Sequence, residues 1–143
     1  MKTNISTNKE QSDRLLRCGV PADTADMSWR TILCPSNNEP WADPQLSPLP
    51  YLEAKDIYGD DYIEPAWSLS ALLGLLPFKI HSGKYEYWLD IAPMDYGRQW
   101  SIGYYCTEKP RVIKGLTHTD SLIECAVQEI EWLTSNGYKL NEQ

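Results

Sequence analysis

The sequence predicts an α+β domain in which a small antiparallel β-meander of about three strands packs against a C-terminal helix. Additional short helices and an irregular proline-rich segment complete it. Side chains alternate between apolar and polar along residues 78–91 and 99–106, as they do in half-buried strands. From about residue 119 to 136, apolar residues instead recur at the spacing of a core-facing helix, at positions 122, 123, 126, 127, 130 and 133.

Size and charge restrict the class of protein. A chain of 143 residues is expected to form one domain, residues 1–143, and it can bury a core without disulfides or metal. Its 13 basic and 20 acidic residues give a formal net charge of −7. This balance argues against a nucleic-acid partner, because such binding depends on basic side chains that neutralise phosphates.

The N-terminus and the cysteines predict a cytoplasmic protein. No apolar stretch near the N-terminus resembles a secretory signal, and the longest apolar run, residues 71–78, is too short to cross a membrane. No membrane partner is therefore expected. The four cysteines are far apart and contain no C-x-x-C pair, so we expect free thiols and no metal at Cys18, Cys34, Cys106 and Cys125.

The N-terminal part predicts one helix. Thr7 and Glu10 have the spacing of a capping box, and Gly19 provides a stop, so the helix is placed at residues 8–18. Its apolar stripe is thin, which favours docking at the edge of the domain.

Three segments follow before the middle of the chain. Residues 29–34 are expected to be extended. Five prolines in residues 35–50 remove backbone donors and fix φ, so a wrapped irregular segment is expected there. The carboxylates of residues 53–64 lack the spacing of an EF-hand loop, and a solvated acidic surface is predicted instead.

Residues 67–77 carry the clearest local helix signal. Ser68 is a suitable N-cap, Trp67 before it can pack on Leu72, and Pro77 ends the helix. Apolar side chains occur on all sides, so this helix is expected to be broadly buried.

The C-terminal helix has recognisable ends. Asp120 favours its start through the helix dipole. Gly137 is suited to the left-handed C-terminal cap, after which Tyr138 can contact Leu133.

A β-hairpin is predicted with Ser82 and Gly83 as its turn. The expected cross-strand pairs are Ile80 with Tyr85, Phe78 with Tyr87, and Lys79 with Glu86. The inner face then holds Phe78, Ile80, Tyr85, Tyr87, Leu89 and Ile91.

A third strand is expected from about residue 99 to 106, after a loop at residues 93–98. If Ile91 faces Trp100, the same register sets Trp88 opposite Gly103 on the outer face. Glu86 would then lie opposite Tyr105.

Three parts of the chain carry a family resemblance. The residues concerned are Gly19-Val20-Pro21 with Ala25-Asp26-Met27, Pro65 to Pro77 with its Trp67-Ser68-Leu69-Ser70-Ala71-Leu72-Leu73 run, and Glu131-Trp132-Leu133 with Asn136-Gly137-Tyr138. In these the chain resembles a family of small uncharacterised proteins from bacterial prophages and integrated mobile elements. The resemblance extends over nearly the whole chain and implies a cytoplasmic accessory protein. It implies no catalytic residue, because the family has no assigned activity.

The candidate functional residues are aromatic. Six tryptophans and nine tyrosines could include a stacking surface for a sugar or a peptide. Most must lie in the core, and the outward candidates are Trp88, Tyr105 and the loop residue Tyr96. They predict a non-catalytic protein-binding factor, with no catalytic residue, metal or cofactor. The acidity would suit an inhibitor that competes for a basic surface. The competing interpretation is that the proline-rich segment covers Trp88 as part of the core.

Two other functions stay open. The first is a small-molecule binder or small hydrolase, whose convergent polar groups would be Asp95, Arg98, His118 and Asp120. The second is a structural subunit of a phage particle, which sedimentation would reveal as a large assembly.

Overall fold

The computed structural model describes residues 4–59, 61–108 and 112–142. Within them the fold is α+β. The helices are α1 (Lys9–Arg17), α2 (Tyr51–Ile57), α3 (Leu69–Leu75) and α4 (Leu122–Ser135). The strands are β1 (Met27–Thr31), β2 (Gln45–Ser47), β3 (Tyr62–Ala66), β4 (Lys79–Ser82), β5 (Tyr85–Met94), β6 (Gln99–Cys106) and β7 (Ile113–Thr119).

The strands form two antiparallel sheets where the sequence predicted one. A four-stranded sheet has the order β4-β5-β6-β7, and a three-stranded sheet has the order β2-β1-β3. The predicted three-strand meander is therefore present as β4-β5-β6, but β7 extends it and the second sheet was not predicted. The proline-rich segment is mostly irregular, as expected, although it contributes the short edge strand β2.

The β4–β5 hairpin is present, but its predicted register is wrong by two residues. Ile80 pairs with Tyr87, and Lys79 pairs with Trp88. The turn lies at residues 83–84, one residue later than predicted, with Gly83 at φ +61°. Because side chains alternate with period two, this shift leaves each strand residue on its predicted face. Tyr87 is accordingly buried.

Phe78 departs from the prediction for the inner face. It precedes β4, and 79 % of its surface is exposed. Its carbonyl oxygen still accepts a hydrogen bond from the Leu89 N–H of β5 at 2.8 Å, so the backbone reaches the sheet although the side chain is exposed.

The β5–β6 register is also two residues from the prediction. Ile91 pairs with Ile102, and Trp88 pairs with Tyr105 rather than with Gly103. The predicted loop at residues 93–98 is shorter than expected, because Pro93 and Met94 continue β5, and only residues 95–98 form the turn.

Three of the residues predicted to cap or end a helix do so, namely Ser68, Gly137 and Gly19. Ser68 accepts a hydrogen bond from the Ala71 N–H at the start of α3. Gly137 adopts φ +79° after α4, and the Tyr138 N–H donates to the Leu133 carbonyl oxygen at 2.9 Å. Gly19 at φ +89° closes α1 in the same left-handed conformation.

The capping box predicted from Thr7 and Glu10 is wrong. Asn8 and Gln11 form the capping box of α1, and Ser121 caps α4 through the Glu124 N–H. Thr7 is buried instead, where its hydroxyl accepts from the Trp67 N–H at 3.0 Å. Tertiary burial of this side chain thus replaces its local capping role.

The acidic segment at residues 53–64 is only partly solvated. It forms the end of α2 and the start of β3. Asp61 pairs with Arg30 at 2.6 Å, and Glu64 lies 3.6 Å from the Lys9 ammonium. Both carboxylates are largely buried, so this stretch is not the uniformly solvated surface that was predicted.

α4 covers one face of the four-stranded sheet. It packs against β6 and β7, and α1 and α3 pack against it in turn. Arg14 on α1 fixes this arrangement, because its guanidinium donates to Glu124 at 2.8 and 3.0 Å and also to Glu131. These charge-assisted contacts raise the pKa of Arg14 above its ordinary value.

Gly115 permits the closest approach of β7 to α4. A Cβ atom at this position would lie 2.5 Å from the Trp132 ring and 2.7 Å from Glu129 Oε1. Its φ of +63° is also a conformation that other residues rarely adopt. Both the space and the backbone therefore require glycine.

We predict that Gly115→Ala destabilises the fold far more than Gly83→Ala. Gly83 has a similar φ of +61°, but a Cβ atom added there would have no atom within 4 Å, so its substitution costs only the left-handed backbone, about 1–2 kcal/mol. Gly115→Ala adds overpacking against Trp132, about 1–3 kcal/mol more. Urea unfolding of both variants measures the difference, and equal losses would contradict the close packing.

Candidate functional site

The face of the four-stranded sheet opposite α4 is here called the open face. It is defined by six residues contributed by all four strands: Lys79, Trp88, Asp90, Tyr105, Ile113 and Leu116. Trp88 is 44 % exposed, Ile113 42 % and Leu116 57 %. A surface that combines these side chains differs from ordinary solvated sheet, where exposed apolar residues occur singly.

The strand registers align four of these residues in one row. Lys79 pairs with Trp88, Trp88 with Tyr105, and Tyr105 with Ile113. The Lys79 ammonium lies 5.4 Å from the centroid of the Trp88 ring, which is within the range of a cation–π contact. The row therefore runs without a gap from a cation through two aromatic rings to an aliphatic side chain.

Gly103 of β6 and Gly115 of β7 determine how the β7 side chains pack. A Cβ atom at Gly103 would lie 2.9 Å from Ile113 Cγ2 and 3.4 Å from Leu116 Cδ1, so the β7 side chains occupy this space. The pairing of β6 with β7 is irregular between Ile102 and Tyr104, and Gly115 lies in the corresponding part of β7. Gly115 faces α4, whereas the neighbouring Leu116 belongs to the open face, where its side chain lies against Gly103.

Asp90 is the unpaired charge of the open face within the described residues. The neighbouring carboxylate of Glu86 lies 3.6 Å from the Lys79 ammonium and 3.2 Å from His81 Nε2. Among the described residues Asp90 has no such partner, and it lies opposite Gly103. The open face thus presents apolar surface next to one negative charge.

The three predicted binding residues do not form one cluster. Trp88 and Tyr105 are cross-strand neighbours, as their common face implied. Tyr96 lies beyond the end of β5. That end, Met94, is six residues from Trp88, which corresponds to about 20 Å along the strand. Tyr96 is fully exposed at φ +55°, a conformation that is costly for an aromatic residue.

The four residues of the predicted polar site lie on the surface. Asp95 and Arg98 lie in the β5–β6 turn, and His118 and Asp120 lie at the end of β7, which is the same end of the sheet. All four are exposed, and no hydrogen bond or ion pair joins their side chains within the described residues. The topology thus brings all four residues to the same end of the sheet.

A cavity that the sequence did not indicate lies between α1, α2 and β3. Its volume is about 470 Å³, and three tyrosines contribute to its lining, namely Tyr51, Tyr58 and Tyr62. The Arg30 guanidinium lies 3.6 Å from the centroid of the Tyr58 ring. The charged side chains of Asp13 and Lys55 also line it, and neither makes an ion pair in the described part of the chain.

Comparisons with protein-family models, with curated proteins and with solved structures find no match. In residues 4–59, 61–108 and 112–142, no helix has both the length and the apolar character needed to span a bilayer. The function must therefore be inferred from the geometry of the chain itself.

The four cysteines differ in accessibility. Cys106 and Cys125 are buried, whereas Cys18 and Cys34 are half-buried. Cys34 Sγ lies 3.2 Å from the Ser36 hydroxyl, and hydrogen bonds from this side chain and from the Ser36 backbone lower the pKa of the Cys34 thiol.

We predict that Cys34 reacts first with a thiol reagent in the native chain, because its thiolate is favoured. Ser36→Ala slows this reaction, whereas Ser70→Ala, at an exposed serine of α3, does not. The measurement is the absorbance change with an aromatic disulfide reagent. All four thiols should react once the chain is unfolded without reductant, and a smaller number would contradict the expectation of free cysteines.

We also predict that Trp88→Ala has little effect on stability. A half-exposed cross-strand aromatic contributes about 1 kcal/mol or less. Trp67→Ala, which removes a fully buried indole, should cost about 3–5 kcal/mol. Urea unfolding of the two variants distinguishes an exposed surface at Trp88 from a core position, and similar losses would place Trp88 in the core.

Proposed function

We propose that this chain is a non-catalytic accessory protein that acts in the cytoplasm and binds another protein through the open face. The observation that carries the proposal is the continuous row from Lys79 through Trp88 and Tyr105 to Ile113. Rigid aromatic side chains within a charged rim are the usual composition of binding hot spots. The resemblance to proteins of prophages and mobile elements supports the accessory role.

The chemistry of the open face indicates its partner. The face combines exposed apolar side chains with charged neighbours, which suits a protein surface. Asp90 is unpaired in the described residues, and the chain has a formal net charge of −7. A partner that presents apolar side chains next to a lysine or arginine would complement both features, and such a basic surface is what an inhibitor of nucleic-acid binding would occupy.

The proposal is tested by photo-cross-linking in bacterial cells that carry the prophage or mobile element encoding this chain. A benzophenone amino acid replaces Leu116 on the open face in one variant and Leu52 on α2 in a matched control, since both leucines are more than half exposed. We expect position 116, and not position 52, to yield one defined protein adduct. Identical adducts from both positions, or none from position 116, would contradict the proposal.

The captured protein is then purified and its affinity measured with two variants. Leu116→Asp should weaken binding by about tenfold or more, as for a hot-spot residue. Asp90→Lys should weaken it further as ionic strength falls, because like charges then repel. Asp43→Lys, an exposed acidic position in the proline-rich segment, serves as the charge control and should leave the affinity unchanged.

A second candidate function is binding of a small zwitterion, and the cavity between α1 and α2 favours it. Asp13 and Lys55 have opposite charges without ion pairs in the described residues, so one ligand with an ammonium and a carboxylate would complement both. Millimolar leucine should raise the melting temperature, whereas leucinamide, which lacks the carboxylate, should not. Asp13→Asn and Lys55→Gln should each abolish the effect, and an unchanged melting temperature with leucine excludes this function.

A further inference from the structure

Glu129 is a fully buried carboxyl group on the inner side of the four-stranded sheet. Its exposed fraction is 0 %, although it belongs to a residue type that is rarely buried without a charged partner. It lies on α4 among the core residues that face β6 and β7. The proposed function makes no use of this side chain.

The surroundings of Glu129 satisfy only one of its two oxygens. Oε2 accepts a long hydrogen bond of 3.4 Å from the Thr117 hydroxyl. Oε1 has no hydrogen-bond partner in the described part of the chain, and it lies 2.7 Å from the place that a Cβ atom of Gly115 would take. The carboxyl group therefore rests directly on the β7 backbone at Gly115. The irregular pairing of β7 with β6 at this position is here called the Gly115 bulge, or β7 bulge.

No cation neutralises this group in the described residues. On β7, Lys114 donates to the Ser82 hydroxyl at 2.7 Å, and His118 is exposed. On α1, Arg14 is held by two other glutamates of α4. The remaining titratable groups nearby are the Tyr104 hydroxyl on β6, which donates to the Pro77 carbonyl, and the Cys125 thiol on α4, while α3 carries no ionisable side chain.

Burial therefore raises the pKa of Glu129 to about 8. The group is a neutral acid at neutral pH in the folded chain but ionised when unfolded. Because its folded pKa lies above its unfolded value of 4.5, its contribution to stability is complete below about pH 4.5 and is lost as the pH rises toward 8. The folding equilibrium constant falls by about tenfold per pH unit within that window.

We propose that Glu129 is a proton-dependent latch between α4 and β7. When the carboxyl group is protonated, α4 stays packed on the Gly115 bulge, and Leu116 keeps its place on the open face. When it ionises, the carboxylate must reach water, which separates α4 from the bulge and displaces the β7 side chains on the open face. That this displacement changes the affinity for a partner rests on the proposed function, whereas the latch itself does not.

The latch is tested by nuclear magnetic resonance of the full chain without a partner. Glutamate is labelled with ¹³C at the carboxyl carbon, and the Ile113 and Leu116 methyl groups are labelled as reporters. We expect the Glu129 carboxyl resonance to titrate with a midpoint near pH 8, and both methyl resonances to shift with the same midpoint. The methyl group of Leu52, exposed on α2, is the internal control and should not follow.

Two variants separate the latch from general alkaline effects. Glu129→Gln keeps the size of the side chain without an ionisable proton, so the methyl titration should disappear. If that variant does not fold, Glu129→Leu provides the same readout. The latch is overturned if Glu129 titrates near its ordinary pKa, or if the methyl titration persists in the neutral variant. Failure of the proposed function would appear instead in the cross-linking at constant pH, so the two failures are distinguishable.

Discussion

The contact between α4 and the β7 bulge at Gly115 is the constraint on which both faces of the four-stranded sheet depend. Because position 115 has no side chain, Trp132 and Glu129 can approach the β7 backbone closely. Trp132 also stacks on Tyr104 and Tyr138, with ring centroids 6.4 and 5.5 Å away. The bulge that closes the inner face also leaves Leu116 on the open face.

The consequences for function follow from this division of the sheet. One side is covered by α4 around Glu129, which no cation of the described residues neutralises. The other side displays a row of aromatic and aliphatic side chains beside an aspartate that is unpaired in the same part of the chain. A change in the packing at Glu129 is separated from Leu116 by only the thickness of one strand. The proposed latch would therefore act on the outer surface directly through β7 rather than through a distant pathway.

The sequence allowed the faces of the meander to be predicted, but not its registers. Alternation assigns Tyr87 inward and Trp88 outward, and a slip of two residues preserves both assignments. Only the positions of the turns fix the register. The β5–β6 turn was misplaced because Pro93 continues β5, although proline is disfavoured inside strands. Helix ends were predictable where a single residue determines them, as at Ser68 and Gly137. The start of α1 was not predictable, because Thr7 is buried and bonds to Trp67 instead of capping the helix.

β7 could not be predicted, because its inward positions are occupied by Lys114, Gly115 and Thr117 rather than by apolar residues. The candidate site shares this limit. Trp88 and Tyr105 were predicted from alternation alone, but Ile113 and Leu116 join them only through the register of an unrecognised strand. The sequence likewise could not distinguish Asp90 from Glu86, because the ion pair between Glu86 and Lys79 depends on the fold.

The two faces of the four-stranded sheet differ in access to solvent, and the proposed binding through the open face depends on this difference. Paramagnetic relaxation by a neutral soluble cosolute measures it directly on methyl groups of the full chain. We expect strong broadening of the Ile113 and Leu116 methyl resonances and little effect on Ile102 and Ile130, which are fully buried. Equal protection of all four would show that another part of the chain covers the open face, and would contradict its role as a binding surface.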